Sequence, residues 1–120
     1  MAQQMREVLA AGLPLIMFPE ATSTNGDTVL PFKTSLFEPV AELGCSVTPA
    51  VISYTLSDGS VRDEVHWWGR MTLMPHLLNL MGKRRIDVTI RFGEPRPRTG
   101  ERKTIAQELH AEVVTLRTAP

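Results

Sequence analysis

The sequence predicts an α/β fold, and three observations lead to that prediction. Residues 2–11 carry apolar side chains at helical spacing, and Gly12 is placed to end the helix. Residues 13–18 form a short apolar run of the length expected for a buried strand. Residues 85–92 alternate apolar and polar side chains, as a strand with one buried and one wet face does. Helices and strands that alternate along a chain are typical of α/β proteins.

The middle of the chain adds one helix and one strand. Residues 34–43 predict a helix that Gly44 ends, with an irregular first turn because Pro39 removes an intrahelical hydrogen bond. Residues 46–54 are rich in β-branched side chains and predict a second buried strand. Pro49 cannot donate to a ladder, so this strand should be bulged or lie at an edge.

The last third contains three further elements besides the alternating strand. Residues 65–69, VHWWG, predict a short extended segment. Residues 71–81 are apolar nearly all round and predict a helix that is either buried or in contact with lipid; burial is the commoner outcome and is expected here. Residues 101–117 predict a final helix with one apolar stripe of Ile105, Leu109, Val113 and Leu116.

Composition limits the classes of function. At 120 residues the chain is one domain or a piece of one. Thirteen basic and thirteen acidic residues balance, so no overall field recruits nucleic acid, and no nucleic-acid partner is predicted. The single Cys45 excludes an internal disulfide and suits a reducing, cytoplasmic setting. Three scattered histidines and one cysteine show no ligand spacing, so no metal site is predicted.

The loop after the first apolar run concentrates the chemistry. A carboxylate and three hydroxyls lie within five residues of the predicted strand end, at Glu20, Thr22, Ser23 and Thr24. Backbone N–H groups in such a turn can bind an anion, hydroxyls add donors, and Lys33 offers positive charge. On these residues alone, an ordinary solvated turn at Asn25-Gly26 is the simpler interpretation.

Two motifs change that interpretation. Residues 18–22 read F-P-E-A-T and residues 30–33 read L-P-F-K, which together resemble the F-P-E-G-T region of the glycerolipid acyltransferases, the 1-acyl-sn-glycerol-3-phosphate acyltransferase family. A P-x-x-I strand at 49–52 and a W-W-G segment follow in the family's order. The resemblance implies a mixed β-sheet flanked by helices. It also implies acyl transfer from acyl-CoA or acyl carrier protein to a lysophospholipid hydroxyl, converting lysophosphatidate to phosphatidate, with no cofactor beyond the acyl donor.

By the same resemblance the loop binds the acceptor. The residues carried over to that role are Glu20, Ala21, Thr22, Ser23 and Lys33. Two of them depart from the family pattern: alanine replaces the conformationally permissive glycine at position 21, and serine replaces a frequent arginine at position 23, which removes a bidentate phosphate partner.

The family's catalytic motif, H-x-x-x-x-D, is absent. In that motif the histidine accepts the hydroxyl proton and the aspartate orients the imidazole. The residues five positions after His66, His76 and His110 are Met71, Met81 and Thr115. We therefore predict no catalytic residue in this chain. Residues 1–120 are expected to be the C-terminal part of a single acyltransferase domain, whose upstream half carries the base.

A membrane contact and two rival functions remain open. The basic run 83–85 follows the apolar helix, which suits either a peripheral protein on anionic lipid or a helix C-terminus with favourable cations. The resemblance implies the cytoplasmic face of the inner membrane, reached peripherally or through an N-terminal anchor. The rivals are a non-catalytic remnant or lipid- or phosphate-binding module of the same fold, and an unrelated phosphate-binding α/β domain.

Overall fold

The computed structural model describes residues 1–57, 59–61, 65, 69 and 73–120. The helices are α1 (Ala2–Ala10), α2 (Glu38–Leu43), α3 (Leu73–Met81) and α4 (Arg102–Thr118), with a 3₁₀ turn at Thr34–Phe37. The strands are β1 (Ser46–Val47), β2 (Ala50–Leu56), β3 (Ile86–Phe92) and β4 (Arg96–Pro97). The predicted helices are confirmed in position, and the irregular turn expected before Pro39 is the 3₁₀ turn. The predicted segment at 65–69 lies outside the described residues, apart from Val65 and Gly69.

The strands form two small antiparallel sheets. β1 pairs with β4, and β2 pairs with β3 in a register that runs from Ala50 opposite Phe92 to Leu56 opposite Ile86. Helices combined with these sheets are compatible with part of an α/β fold. The mixed sheet that the sequence led us to expect is not formed by the described residues, because both observed ladders are antiparallel and two-stranded.

Pro49 explains why the strand predicted at 46–54 is divided. Proline has no N–H to donate, so the ladder breaks there and β1 and β2 enter different sheets. The Pro49 carbonyl instead accepts a 2.8 Å hydrogen bond from Gly93 N. A Cβ at position 93 would lie 2.7 Å from Pro49 Cγ, so the two chain segments can approach this closely only because residue 93 is glycine.

The core lies where α4 packs on the 3₁₀ turn. Phe37, Ile105, Ala106 and Leu109 are buried there, and Met17, Phe32 and Val47 pack around them. Ile105 and Leu109 belong to the stripe predicted on the last helix, which is thereby confirmed at its N-terminal end. This helix consequently lies beside the loop at 19–33.

Two bidentate ion pairs fasten elements that are distant in sequence. Arg98, with 6% of its surface exposed, donates from Nη1 and Nη2 to Glu112 at 2.7 and 2.9 Å. These hydrogen bonds lower the pKa of the Glu112 carboxyl below its usual 4.5. Arg6 of α1 donates to Glu42 of α2 at 2.6 and 2.9 Å, but this pair is exposed. Only the first pair therefore has a desolvated cation.

The buried strand predicted at 13–18 is wrong for this structure. These residues form no strand, and Ile16 and Phe18 are 84% and 70% exposed. A strand needs a neighbour for its N–H and C=O groups, and neither described sheet pairs with this segment. Only Met17 packs against the core.

The expected burial of β3 and of α3 is also wrong. The apolar face of the alternating strand points to solvent, and Phe92 is 68% exposed. Antiparallel partners share a face, so Ile52 opposite Ile90 extends this uncovered apolar surface onto β2. Helix α3 likewise exposes most of its large side chains. In each case the expected covering element is absent among the described residues.

The total exposed surface area is also larger than that of a compact folded protein of the same mass. The chain exposes 8291 Å², whereas a folded protein of 13.4 kDa exposes about 6,500 Å². Its radius of gyration is 16.4 Å, against about 14 Å for a compact domain of this length. Within the described part of the chain, no helix is long and apolar enough to cross a membrane.

Candidate functional site

The loop at 19–33 is closed at its base by two hydrogen bonds. Lys33 N donates to Pro19 O at 2.9 Å. Leu30 N donates to the Glu20 carboxylate at 2.7 Å, ten residues away in sequence. The carboxylate thus joins the incoming and outgoing arms of the loop. Glu20 is therefore a positioning residue of the loop.

Ala21 adopts the left-handed backbone conformation, with φ at +58°. Its N–H donates to Phe18 O at 3.1 Å, which forms the tight turn that follows the apolar run. This region of φ favours glycine because a Cβ crowds the adjacent carbonyl. A glycine, which stands here in the F-P-E-G-T motif that this loop resembles, would adopt this conformation without a Cβ clash; this chain forms the turn with alanine.

Because of that strain, Ala21→Gly is expected to stabilise the chain by about 0.5–1 kcal/mol. The matched control is Ala111→Gly, the same substitution at an exposed position inside α4, which should destabilise by about 1 kcal/mol. Urea unfolding of both variants measures the two effects. Equal losses at both positions would show that the loop carries no backbone strain at residue 21.

The tip of the loop is an ordered turn at the predicted Asn25-Gly26 position. Asn25 Oδ1 accepts from Asp27 N at 3.1 Å, and Thr24 Oγ1 accepts from Gly26 N at 3.2 Å. The Thr24 hydroxyl is therefore used to build the turn. The hydroxyls of Thr22 and Ser23 are not used in this way within the described structure, and both residues are exposed.

Two side chains of helix α4 bind the backbone of the loop, a contact that the sequence did not predict. Arg117 Nη2 donates to Gly26 O and, at 2.7 Å, to Asp27 O. His110 Nε2 lies 3.2 Å from Val29 O, and its ring packs edge-on against Phe32 with centroids 5.2 Å apart. Because a carbonyl only accepts, Nε2 carries the proton. The signal in the sequence was the i, i+7 spacing of His110 and Arg117, which places both on one face.

The residues of the candidate site therefore fall into two groups: those that shape the loop and those whose polar side chains are exposed to solvent. Glu20 and Ala21 shape the loop, while Thr22, Ser23 and Lys33 are exposed. In the described structure no carboxylate pairs with the Lys33 ammonium. Two hydroxyls and one cation are thus free to meet an anionic group of a ligand.

The described histidines form no catalytic pair. His110 is bonded to the loop backbone, and His76 lies half-buried on α3 without a hydrogen bond to a carboxylate. His66 lies outside the described residues. The described side chains also contain no group of three or more His, Cys, Asp or Glu that could hold a metal ion.

An open groove of about 310 Å³ lies between α4 and the close approach of Pro49 to Gly93. It is lined by Pro49, Gly93, Ala111, Glu112, Thr115 and Leu116. None of these residues belongs to the loop at 19–33.

Comparisons with known proteins identify the class to which this loop belongs. The family model described as Acyltransferase matches residues 1–53, which include the whole loop. Together with the relatives described next, this match supports the glycerolipid acyltransferase family that the F-P-E-A-T and L-P-F-K motifs resemble. No solved structure matches the chain.

The similar curated proteins carry one name, lyso-ornithine lipid O-acyltransferase. The Brucella abortus protein is 38% identical over 122 residues, which cover 90% of this chain and 46% of that protein. The Pseudomonas aeruginosa protein is 34% identical, covering 92% of this chain and 43% of that protein. The Rhizobium meliloti protein is 36% identical over 72% of this chain and 34% of that protein. The chain thus spans less than half the length of these relatives.

Proposed function

We propose that the protein containing this chain transfers a fatty acyl group from acyl-CoA or acyl carrier protein to the hydroxyl of a lysolipid. The observation that carries the proposal is the F-P-E-A-T loop, closed by Glu20 and exposing Thr22 and Ser23. In this reaction the acceptor oxygen attacks the thioester carbonyl and loses its proton to a base, and the thiolate leaves and is protonated. The described loop contributes acceptor binding to that sequence.

The acceptor we favour is a lyso-ornithine lipid. Three relatives bear that name. An ornithine headgroup has a carboxylate and an ammonium in place of a phosphate. Ser23 fits this chemistry, because it replaces the arginine that would grip a phosphate bidentately. Lysophosphatidate is the competing acceptor, and the loop hydroxyls with Lys33 would serve either anionic group.

We place the catalytic base in an upstream half of the same domain. That half would carry H-x-x-x-x-D, pair with residues 13–18 to complete a mixed sheet, and cover the apolar face of β2 and β3. The excess exposed area supports this division. The working location of such an enzyme is the cytoplasmic face of the inner membrane, where thioester donors and lysolipids meet.

Residues 1–120 alone are expected to show no acyl transfer, because general-base catalysis contributes about 10²–10⁴ in rate and the sequence contains no H-x-x-x-x-D motif. The measurement is thioester consumption with acyl-CoA and either lyso-ornithine lipid or lysophosphatidate. Joining the chain to an upstream segment with H-x-x-x-x-D should restore transfer, and the preferred lysolipid then identifies the acceptor.

Histidine-dependent turnover by the isolated chain would overturn the placement of the base. The second candidate function is a lipid-binding module of the same fold, which is favoured by one observation: the described histidine beside the loop, His110, contacts a backbone carbonyl of the loop and serves to hold it. Finding no H-x-x-x-x-D upstream, together with lysolipid binding by residues 1–120, would select that function.

A further inference from the structure

Helix α3 turns an apolar stripe towards solvent. The stripe residues stand at i, i+3, i+4 and i+7 and therefore share one face. Their exposed fractions are 61% for Met74, 40% for Leu77, 63% for Leu78 and 73% for Met81. His76 and Leu80, on the opposite side, are half-buried. The helix is thus held by one side, while the side that a globular helix normally buries faces outward.

Cations follow the stripe directly. The helix ends at Gly82, whose N–H donates to Leu78 O, and Lys83, Arg84 and Arg85 come next. Arg84 is exposed. The Arg85 side chain is 73% exposed and uses only Nε towards Asp87. The sequence contains no Asp or Glu between Glu64 and Asp87, so the segment that carries the stripe and these cations has a net positive charge.

We propose that the α3 stripe and the cations at 83–85 form a docking surface for an anionic lipid bilayer, with the helix lying in the plane of the interface. A nine-residue helix is about 14 Å long and cannot span the bilayer, but in-plane insertion needs only one apolar face. The neighbouring cations favour anionic headgroups over a neutral protein surface.

This proposal rests on the proposed function in one respect: a lysolipid acceptor is located in a bilayer, so the enzyme must bind the bilayer surface to reach it. It adds which surface makes the contact. The patch itself stands on exposure and charge, so its test does not require activity.

The test is co-sedimentation of residues 1–120 with vesicles of phosphatidylcholine alone or with phosphatidylglycerol added. The chain should bind the anionic vesicles, and added salt should weaken binding. Met74→Gln with Leu78→Gln should weaken binding to anionic vesicles at least about tenfold, because two apolar side chains no longer enter the interface. Arg84→Gln with Arg85→Gln should weaken it about 30-fold and leave binding to neutral vesicles unchanged.

Matched controls lie on α4. Val114→Gln changes an exposed apolar side chain there, and Lys103→Gln removes an exposed cation, so neither should alter vesicle binding. Unchanged binding in the stripe variants would overturn the proposal. So would stripe variants that abolish self-association of the chain, since the stripe would then contact a second copy. Loss of vesicle binding on joining the upstream half would assign the stripe to a domain interface.

The outcome is separable from that of the proposed function. Acyl transfer by the joined protein can be measured with lysolipid dispersed in detergent, where no bilayer is present. Vesicle binding without any transfer would count against the function and leave the docking surface standing. Transfer in detergent without vesicle binding would support the function and overturn the docking surface.

Discussion

Replacing Thr22 with valine is expected to lower kcat/KM for the lysolipid acceptor by about 10- to 150-fold in the protein that joins this chain to its upstream half. The change nearly preserves side-chain shape and removes one exposed hydroxyl. Loss of a hydrogen bond to a charged group costs about 1.5–3 kcal/mol, which corresponds to that factor. The KM for the acyl donor should hardly move. Steady-state kinetics with each substrate varied in turn measures both quantities.

Glu20→Gln tests the frame of the same site and should lower acceptor kcat/KM further than Thr22→Val. The carboxylate holds Leu30 N at 2.7 Å, and a neutral amide oxygen makes a weaker bond. Thr28→Val is the matched control, since it alters another exposed threonine of the loop outside the F-P-E-A-T segment. If Thr22→Val raised the KM for the acyl donor and left the acceptor kinetics normal, the loop would bind the donor, and its assignment to the acceptor would be wrong.

Glu112→Gln is expected to cost about 2–3 kcal/mol of unfolding free energy, because it leaves the buried Arg98 guanidinium without its bidentate partner. Glu108 is the remaining carboxylate near this cation, at 3.9 Å. The Arg98 Nε, which is buried and has no hydrogen-bond partner, cannot take up the lost interaction. Urea unfolding at neutral pH measures the loss.

The pH dependence of that loss has a definite sign. Arg98 depresses the pKa of Glu112 in the folded chain, so the stabilisation is complete above the usual value of 4.5 and disappears as pH falls through the lowered value. The gap between wild type and Glu112→Gln should therefore close as the pH drops below 4.5. Glu42→Gln, which breaks the exposed bidentate pair with Arg6, should cost much less. Equal costs for the two variants would contradict the role of burial.

Elements with local causes were predicted from the sequence. The apolar stripe of α4, the glycine that ends α2, and the alternation of β3 each depend on residues within one element, and each is confirmed in position. The loop was located by its motifs, and the Asn25-Gly26 turn by its residue types. The strain at Ala21 follows from the same kind of local argument.

Features that depend on partners were not predictable in this way. Residues 13–18 have the composition of a buried strand but no neighbour among the described residues. The apolar face of β3 has the right period, but no described element covers it. The hold of His110 and Arg117 on the loop joins positions some 80 to 90 residues apart, and no periodicity within one element encodes such a contact.

The junction between Arg117 and the loop tip has a thermodynamic consequence. Because the side chain bonds to Gly26 O and Asp27 O, ordering of the loop and ordering of the last turn of α4 contribute to one equilibrium. Linkage then acts in both directions: a ligand that orders the loop would also order the final helical turn, and fraying of that turn would weaken binding of that ligand by the same factor. The last turn of α4 would thereby influence the affinity of the loop for its ligand, although the two lie some 90 residues apart in sequence.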